Sequence, residues 1–238
     1  MSPKDRLIVA LDVDTKSRAL SLAGELKDSV GFFKIGLELF SSCGPDIVRQ
    51  ISGIGCKVFL DLKFHDIPTT VAKAAVSVTG LGSYMFNVHA LGGYDMMKRC
   101  GDAVKTEAER LKIARPKVIA VTVLTSMDQI SLEKVGVGCD IKEEVIKLAR
   151  LAKDAGLDGV VASPEEARMI RDDAGDDFII VTPGVRPSWA AADDQRRVAT
   201  PKEAVDNGAS FIVVGRPITA AADPVEAAGK IIKEIRCS

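Results

Sequence analysis

The sequence predicts a (β/α)₈ barrel that occupies residues 1–238 as a single domain. Eight short runs of apolar, β-branched and aromatic residues recur along the chain, and helix-like segments separate them. A length of 238 residues suits eight strand–helix repeats and leaves little chain for a second domain. The alternative is an open doubly wound sheet, but no G-x-G-x-x-G motif follows the first run. The closed barrel is therefore the favoured fold class.

The eight runs are nearly continuously apolar, as expected of parallel strands that are covered on both faces. They lie at Leu7–Asp12, Phe32–Gly36, Lys57–Lys63, Tyr84–His89, Val118–Leu124, Gly159–Ala162, Phe178–Thr182 and Phe211–Gly215. Side chains alternate between the two faces of a strand, so Phe59, Asp61 and Lys63 of the third run are expected to share one face.

Start and stop signals mark several of the intervening helices. Ser163–Glu166 and Thr200–Glu203 both have the pattern of a capping box with proline at the first helical position, and Asp223 precedes a third such proline. Gly156 and Gly208 are expected to end helices immediately before strands. These signals support a regular alternation of strands and helices.

The overall composition argues against several classes of partner and site. A net charge of −1 and a pI near 6.2 favour neither nucleic acid nor an anionic membrane as a partner. The first residues form no apolar signal region, and no apolar run approaches the ~20 residues of a membrane span, so a cytoplasmic protein is expected. Five dispersed cysteines without C-x-x-C and only two histidines indicate reduced thiols and no metal site.

Polar residues or glycines follow nearly every predicted strand at its carboxyl end, where a barrel of this class places its active site. In chain order they are Asp12, Lys34, Asp61, Lys63, Asn87, His89, Thr125, Ser126, Ser163, Gly184, Arg186, Gly215 and Arg216. An Asp-x-Lys pair by itself is often only an ion pair that stabilises a strand end. Charged groups from so many strands at one mouth instead indicate a functional site.

The last two strands carry a pattern typical of phosphate binding. Gly184 lies near Arg186, and Gly215 precedes Arg216, so each strand end combines a backbone that an anion can approach with a guanidinium group. Residues 217–221 are expected to form the short extra helix that completes a phosphate site in many barrels. The alternative, in which these are turn glycines and surface arginines, does not explain why the pair occurs twice.

The two longest strand-to-helix connections are Thr125–Asp140 and Pro183–Ala199. The second is long and polar and lies beside the predicted phosphate site, so it is expected to close over the ligand, with a solvated surface loop as the alternative. His89 ends a core strand and is expected to be structural or to support the site from behind. His65 has no assigned role.

The chain resembles the orotidine 5′-phosphate decarboxylase family, in its bacterial form. The resemblance runs in order from about residue 6 to residue 230. It rests on the motifs ALDVD, KIGLELF, DLKFHDIPTT, NVHALGG, VTVLTSM, TPGVR with DDQRRVATP, and IVVGRPIT. The D-x-K-x-x-D pattern alone is less specific, because related sugar-phosphate enzymes share it.

The resemblance implies a homodimer of barrels that needs no metal and no organic cofactor. It implies that Lys63 donates the proton to carbon 6 of the pyrimidine. It also implies an alternating charge array, which we define as Lys34, Asp61, Lys63 and Asp66. Asp66 would be supplied by the partner subunit, and Thr70 would likewise cross the interface.

The remaining site residues are also implied by the resemblance. Asp12 and Lys34 would hold the ribose hydroxyls, and Asp61 would lie near the substrate carboxylate. Either Thr125 or Ser126 would meet the pyrimidine edge. The phosphate would be bound by Arg186, Gln195, Gly215 and Arg216.

These residue types suit the implied reaction, the decarboxylation of orotidine 5′-phosphate to uridine 5′-phosphate. Loss of carbon dioxide leaves a carbanion without an electron sink, so a fixed cation that also yields a proton is needed. Lys63 is expected to stay protonated because Asp61 and Asp66 flank it. Two alternatives stay open: a magnesium-dependent sister enzyme such as a 3-keto-gulonate 6-phosphate decarboxylase, and a non-catalytic phosphate-binding barrel.

Overall fold

The computed structural model describes residues 1–190 and 199–236. Its eight parallel strands form a closed barrel in chain order, which confirms the predicted fold class. The strands are β1 Leu7–Ala10, β2 Phe32–Ile35, β3 Lys57–Phe64, β4 Met85–His89, β5 Lys117–Val121, β6 Gly159–Val161, β7 Ile179–Thr182 and β8 Phe211–Val214. Each predicted run overlaps its strand, and the observed boundaries differ from the predicted ones by at most three residues.

Helices connect the strands and cover the outside of the barrel. In the described ranges they are α1 Pro3–Arg6, α2 Lys16–Leu26, α3 Leu37–Cys43, α4 Asp46–Gly53, α5 Pro68–Thr79, α6 Gly93–Leu111, α7 Gln129–Lys134, α8 Ile141–Asp154, α9 Ala167–Ala174, α10 Pro201–Asp206, α11 Arg216–Thr219 and α12 Pro224–Arg236. A short 3₁₀ helix covers Ala90–Gly92. Within these described ranges, no helix combines the length and the apolar character that crossing a membrane would require.

The barrel is closed by pairing of its first and last strands. Ile8 of β1 is in register with Phe32 of β2 on one side and with Val213 of β8 on the other. All three side chains belong to an apolar cluster inside the barrel, whereas a larger cluster fills the space between the strands and the helices. The strands are therefore buried on both faces, which explains their continuously apolar sequences.

The predicted helix starts at Thr200 and Asp223 are confirmed, whereas the capping box predicted at Ser163 forms only in part. Thr200 and Glu203 form a reciprocal capping box at the start of α10, and Asp223 accepts a hydrogen bond from the first turn of α12. At Ser163 only half of the predicted box forms: the Glu166 carboxylate accepts from the Ser163 N–H at 2.8 Å. The Glu166 N–H bonds to the Ser163 carbonyl instead of the hydroxyl, so this segment is a turn and α9 begins at Ala167.

Candidate active site

A cavity of about 350 Å³ opens at the carboxyl ends of the strands. Residues from β1, β2, β3, β5, β6, β7 and β8 or from the loops after them line it. Nine of the predicted site residues are among the lining residues: Asp12, Lys34, Asp61, Lys63, Thr125, Gly184, Arg186, Gly215 and Arg216. Residues that are far apart in the sequence therefore meet at the mouth of the barrel.

One wall of the cavity is a chain of alternating charges. The Lys34 Nζ lies 2.9 Å from Asp12 Oδ1 and 3.4 Å from Asp61 Oδ2. The other oxygen of Asp61 lies 2.6 Å from the Lys63 Nζ. The side chains of Lys34 and Asp61 are nearly buried, whereas that of Lys63 is 30% exposed and faces the cavity. Lys63 is therefore the last group in this series of alternating charges, and a ligand can reach its ammonium group.

Burial and pairing act in opposite directions on these groups. Burial disfavours the charged form of Lys34, but attraction to Asp61 and Asp12 outweighs this and raises the pKa of Lys34 above its ordinary value. Burial also disfavours ionised Asp61, but the two lysines and hydrogen bonds from Lys63 and Asn87 hold the pKa of Asp61 below its ordinary value. Both groups are therefore charged at neutral pH.

The backbone of Lys63 is unusual for a strand residue. Its φ angle is 53°, in the left-handed region that side chains with a Cβ seldom adopt, and the pairing of β3 with β4 shifts register between Leu60 and Phe64. β-Bulges of this kind re-aim side chains next to active sites. Here Asp61 and Lys63 still point into the cavity together, as the alternation of the strand predicts.

Asn87 of β4 is hydrogen-bonded to both members of this pair. Its Oδ1 accepts from the Lys63 backbone N–H at 2.8 Å, and its Nδ2 donates to Asp61 Oδ1 at 2.7 Å. The side chain is fully buried. The sequence placed Asn87 at a strand end without giving it a role. The available signal was its residue type, because asparagine is depleted in strands.

Gly36 leaves the space that the Lys34–Asp12 pair occupies. A Cβ at this position would lie 2.9 Å from Lys34 Nζ and 3.1 Å from Asp12 Oδ1, closer than such atoms normally approach. Sequence reasoning missed this residue as well. Its position directly after β2, two residues from Lys34, was the signal.

The predicted phosphate-binding residues line the cavity after β7 and β8. Gly184 has φ 78°, and the next residue, Val185, forms a bridge with Ala199 across the ends of the β7 loop. The Arg186 N–H donates to the Ala199 carbonyl at 2.9 Å. Gly215 lies between β8 and the short helix α11, which corresponds to the predicted extra helix.

Three of the predicted site residues, Asp66, Thr70 and Ser126, do not line the cavity. Both Asp66, two residues before α5, and Thr70, in the first turn of α5, are exposed, and Asp66 Oδ1 accepts from the Ile67 N–H at 2.7 Å. Thr125 lines the cavity, whereas the adjacent Ser126 is exposed and does not. Gln195 lies outside the described residues, as do the other residues of the predicted closing loop from 191 to 198.

The rings of the two histidines are stacked on each other. The rings of His65 and His89 are 5.3 Å apart at an angle of 20°. His89 Nδ1 also accepts a long hydrogen bond from the Leu91 N–H, and burial, together with repulsion from His65 and Lys63, lowers the pKa of His89 to about 4. In residues 1–190 and 199–236, no group of three or more His, Cys, Asp and Glu side chains is arranged to hold a metal ion.

The chain is similar to known proteins over nearly its whole length. Residues 5–231 match the model of the orotidine 5′-phosphate decarboxylase / HUMPS family. A protein from Syntrophomonas wolfei named orotidine 5′-phosphate decarboxylase is 52% identical over 237 residues, which is 99% of each chain. One of the same name from Geotalea daltonii is 51% identical over 97% of this chain and 95% of its own.

A solved structure gives the same result for the fold. The crystal structure of orotidine 5′-phosphate decarboxylase from Lactobacillus acidophilus has a TM-score of 0.86 and 41% sequence identity, and the match covers 96% of this chain and 98% of that one. Together with the family match over nearly the whole chain, these similarities show that this chain belongs to the orotidine 5′-phosphate decarboxylase / HUMPS family.

Proposed function

We infer that this chain is a carboxy-lyase that converts orotidine 5′-phosphate into uridine 5′-phosphate and carbon dioxide, a step of pyrimidine nucleotide synthesis. Relatives at about 50% identity over nearly the full length carry that activity in their names. The structural observation that carries the assignment is the cavity itself, since it is lined both by the Lys34–Asp61–Lys63 charges and by Arg186 and Arg216.

We assign the chemical step to Lys63. The bond between carbon 6 of the pyrimidine and its carboxylate breaks, carbon dioxide leaves, and the electron pair remains on carbon 6. The Lys63 ammonium stabilises that developing charge and then transfers one proton to carbon 6, after which the amine regains a proton from water. Its 2.6 Å contact with Asp61 and its position at the cavity surface support this role.

The magnitudes show that Lys63 does not act alone. An ammonium about 4 Å from a developing anion contributes roughly 4 kcal/mol at an effective dielectric constant near 20. Enzymatic accelerations typically require about 8–23 kcal/mol. Binding energy from the remote phosphate, used to hold the pyrimidine against Lys63, supplies part of the difference.

We assign the substrate contacts by position in the cavity. Asp12 and Lys34 bind the ribose hydroxyls, and Thr125 contacts the pyrimidine edge in preference to Ser126, which is exposed. Arg186, Gly215 and Arg216, with Gln195 from outside the described residues, bind the phosphate. Charge-assisted hydrogen bonds from arginine to phosphate are among the stronger ones in proteins.

We further propose that the protein works as a homodimer in the cytoplasm. Asp66 and Thr70 are exposed and lie outside the cavity of their own subunit, as expected of residues that complete the site of a neighbour. Ile67, between them, is 64% exposed, and an apolar side chain there suits a subunit interface. The partner subunit's Asp66 would then complete the charge array.

An absorbance assay with orotidine 5′-phosphate tests the activity. The expected result is loss of substrate absorbance with uridine 5′-phosphate as the product, unchanged by a chelator because the amine supplies the charge and the proton. Loss of activity with the chelator would favour a magnesium-dependent sister enzyme, which would be tested on 3-keto-gulonate 6-phosphate. Nucleotide binding without turnover would favour the non-catalytic barrel.

A further inference from the structure

Because the register of β3 against β4 shifts between Leu60 and Phe64, Lys63 has no regular backbone pairing with a residue of β4. Leu60 pairs with Phe86, and Phe64 pairs with Val88. The three residues between Leu60 and Phe64 on β3 therefore lie opposite a single residue of β4, Asn87. A backbone N–H in such a bulge loses its bond to the neighbouring strand and needs another acceptor when it is buried. In this barrel the side chain of Asn87 is that acceptor.

The contacts of Asn87 connect the backbone of Lys63 to the carboxylate that holds its ammonium. Asn87 Oδ1 receives the Lys63 N–H, and Asn87 Nδ2 donates to the same Asp61 Oδ1 that accepts from Lys63 Nζ. The Lys63 residue is thus fixed at both ends, by its main chain and through its ammonium. Asn87 itself does not line the cavity, so it acts through the other two residues.

We propose that Asn87 is a positioning residue that holds Lys63 in its left-handed backbone conformation and aligns Asp61 with the ammonium. This inference rests on the proposed function, because it concerns the geometry of the group assigned to proton transfer. A left-handed conformation is strained for lysine and persists only where its surroundings enforce it. A displacement of the ammonium by about 1 Å is enough to lower a catalytic rate about 10²-fold.

A positioning role predicts a specific pattern in the kinetic constants. The side chain of Asn87 is hydrogen-bonded to Lys63 and Asp61 and not to Asp12, Lys34 or Arg216, the groups assigned to ribose and phosphate. The variant Asn87→Ala is therefore expected to lower kcat about 10²-fold and to change KM less than about threefold. The affinity for uridine 5′-phosphate, measured by titration, is expected to stay near that of the wild type.

The isosteric variant Asn87→Asp provides a readout that a merely structural role would not change. The new carboxyl group would lie next to Asp61 on β3 and near Lys63, with Lys34 of β2 and His89 of β4 as the other charged or titratable groups around it. Two adjoining carboxyl groups share one proton, and only the protonated form donates to Asp61 as the amide does. We expect kcat of this variant to fall about tenfold per pH unit above a new pKa that the wild type lacks.

Asn207→Ala is the matched control. It removes a side-chain amide that donates to the Pro164 carbonyl at a distance of 3.3 Å, and neither residue lines the cavity. Wild-type kcat in Asn87→Ala, a loss confined to KM, or a wild-type pH profile in Asn87→Asp would overturn the proposal. Failure of both Asn87 variants to fold would also overturn it, because Asn87 would then stabilise the barrel itself. A wild-type protein that leaves orotidine 5′-phosphate unchanged would instead refute the proposed function.

Discussion

The Lys63 ammonium lies 2.6 Å from the Asp61 carboxylate, although the strand that carries both residues is bulged between them. In a regular strand, residues two apart point the same way, and this pair keeps that arrangement only with a left-handed backbone at Lys63. The contact therefore depends on residues outside β3. Asn87 on the next strand supplies the hydrogen bonds that the bulge would otherwise lack.

Gly36→Ala tests how tightly the ribose-binding pair is packed. The new methyl group would meet Lys34 Nζ at 2.9 Å, and since φ of Gly36 is −93° the change adds no backbone strain. We expect KM for orotidine 5′-phosphate to rise about tenfold, the equivalent of one charged hydrogen bond. Steady-state kinetics measure this.

The control for that variant is Gly24→Ala in the last turn of α2, where a Cβ meets no atom within 4 Å. It is expected to leave KM unchanged and to stabilise the protein by about 0.5–1 kcal/mol through helix propensity. Equal KM values for Gly36→Ala and the wild type would show that the pair can shift without loss of binding.

The sequence predicted the barrel and much of the site because both depend on local patterns. Apolar runs mark strands, and the carboxyl ends of parallel strands meet at one mouth, so Asp61, Lys63 and Arg216 were expected together. The register shift in β3 was not predictable in this way. It depends on the pairing of Lys63 with Asn87, 24 positions along the chain, which leaves no local pattern.

The half-formed capping box at Ser163 shows a second limit of sequence reasoning. The residue types there satisfy the capping pattern, but the Ser163 hydroxyl is buried and forms no hydrogen bond among the described residues. The turn instead forms through backbone atoms, and the helix begins four positions later. Tertiary packing overrides a local preference at this position.

Arg216→Ala tests the use of phosphate binding energy. Loss of a charge-assisted contact to phosphate is expected to raise KM about 10- to 100-fold and also to lower kcat, because the phosphate helps to hold the ring against the ammonium. Steady-state kinetics and inhibition by inorganic phosphate measure both effects. Arg49→Ala, on the exposed side of α4, is the control. A change in thermal stability alone would count against the assignment.

The depressed pKa of His89 predicts a loss of stability in acid. The folded protein protonates His89 only near pH 4, whereas the unfolded chain does so near its ordinary value of 6.5. The unfolded state therefore binds more protons between these values, and stability is lost as pH falls from about 6.5 to about 4. Because the ring is only half-buried, the expected contribution is about 1–2 kcal/mol.

Urea denaturation of wild type and His89→Asn at pH 7 and pH 4.5 measures this contribution. The variant lacks the titrating group but keeps an acceptor for the Leu91 N–H, so its unfolding free energy should fall less between the two pH values. Equal losses for the two proteins would show that His89 does not govern this pH dependence.

Mixing two inactive variants tests whether Asp66 acts across a subunit interface. In a mixed dimer of Lys63→Ala and Asp66→Ala, one site regains both groups. Random reassortment of subunits is therefore expected to restore about a quarter of wild-type activity. Each variant, dissociated and reassembled alone, is the control. No recovery in the mixture, with dimers present, would place Asp66 in its own subunit's site or outside any site.

The most direct test of the central claim is single-turnover decarboxylation of orotidine 5′-phosphate by Lys63→Ala. The loss of roughly 4 kcal/mol of electrostatic stabilisation, together with the proton donor, predicts a rate at least about 10³-fold lower, with uridine 5′-phosphate still bound. Lys57→Ala, at the opposite end of the same strand, should keep full activity. Decarboxylation by Lys63→Ala at a rate near that of the wild type would contradict the account.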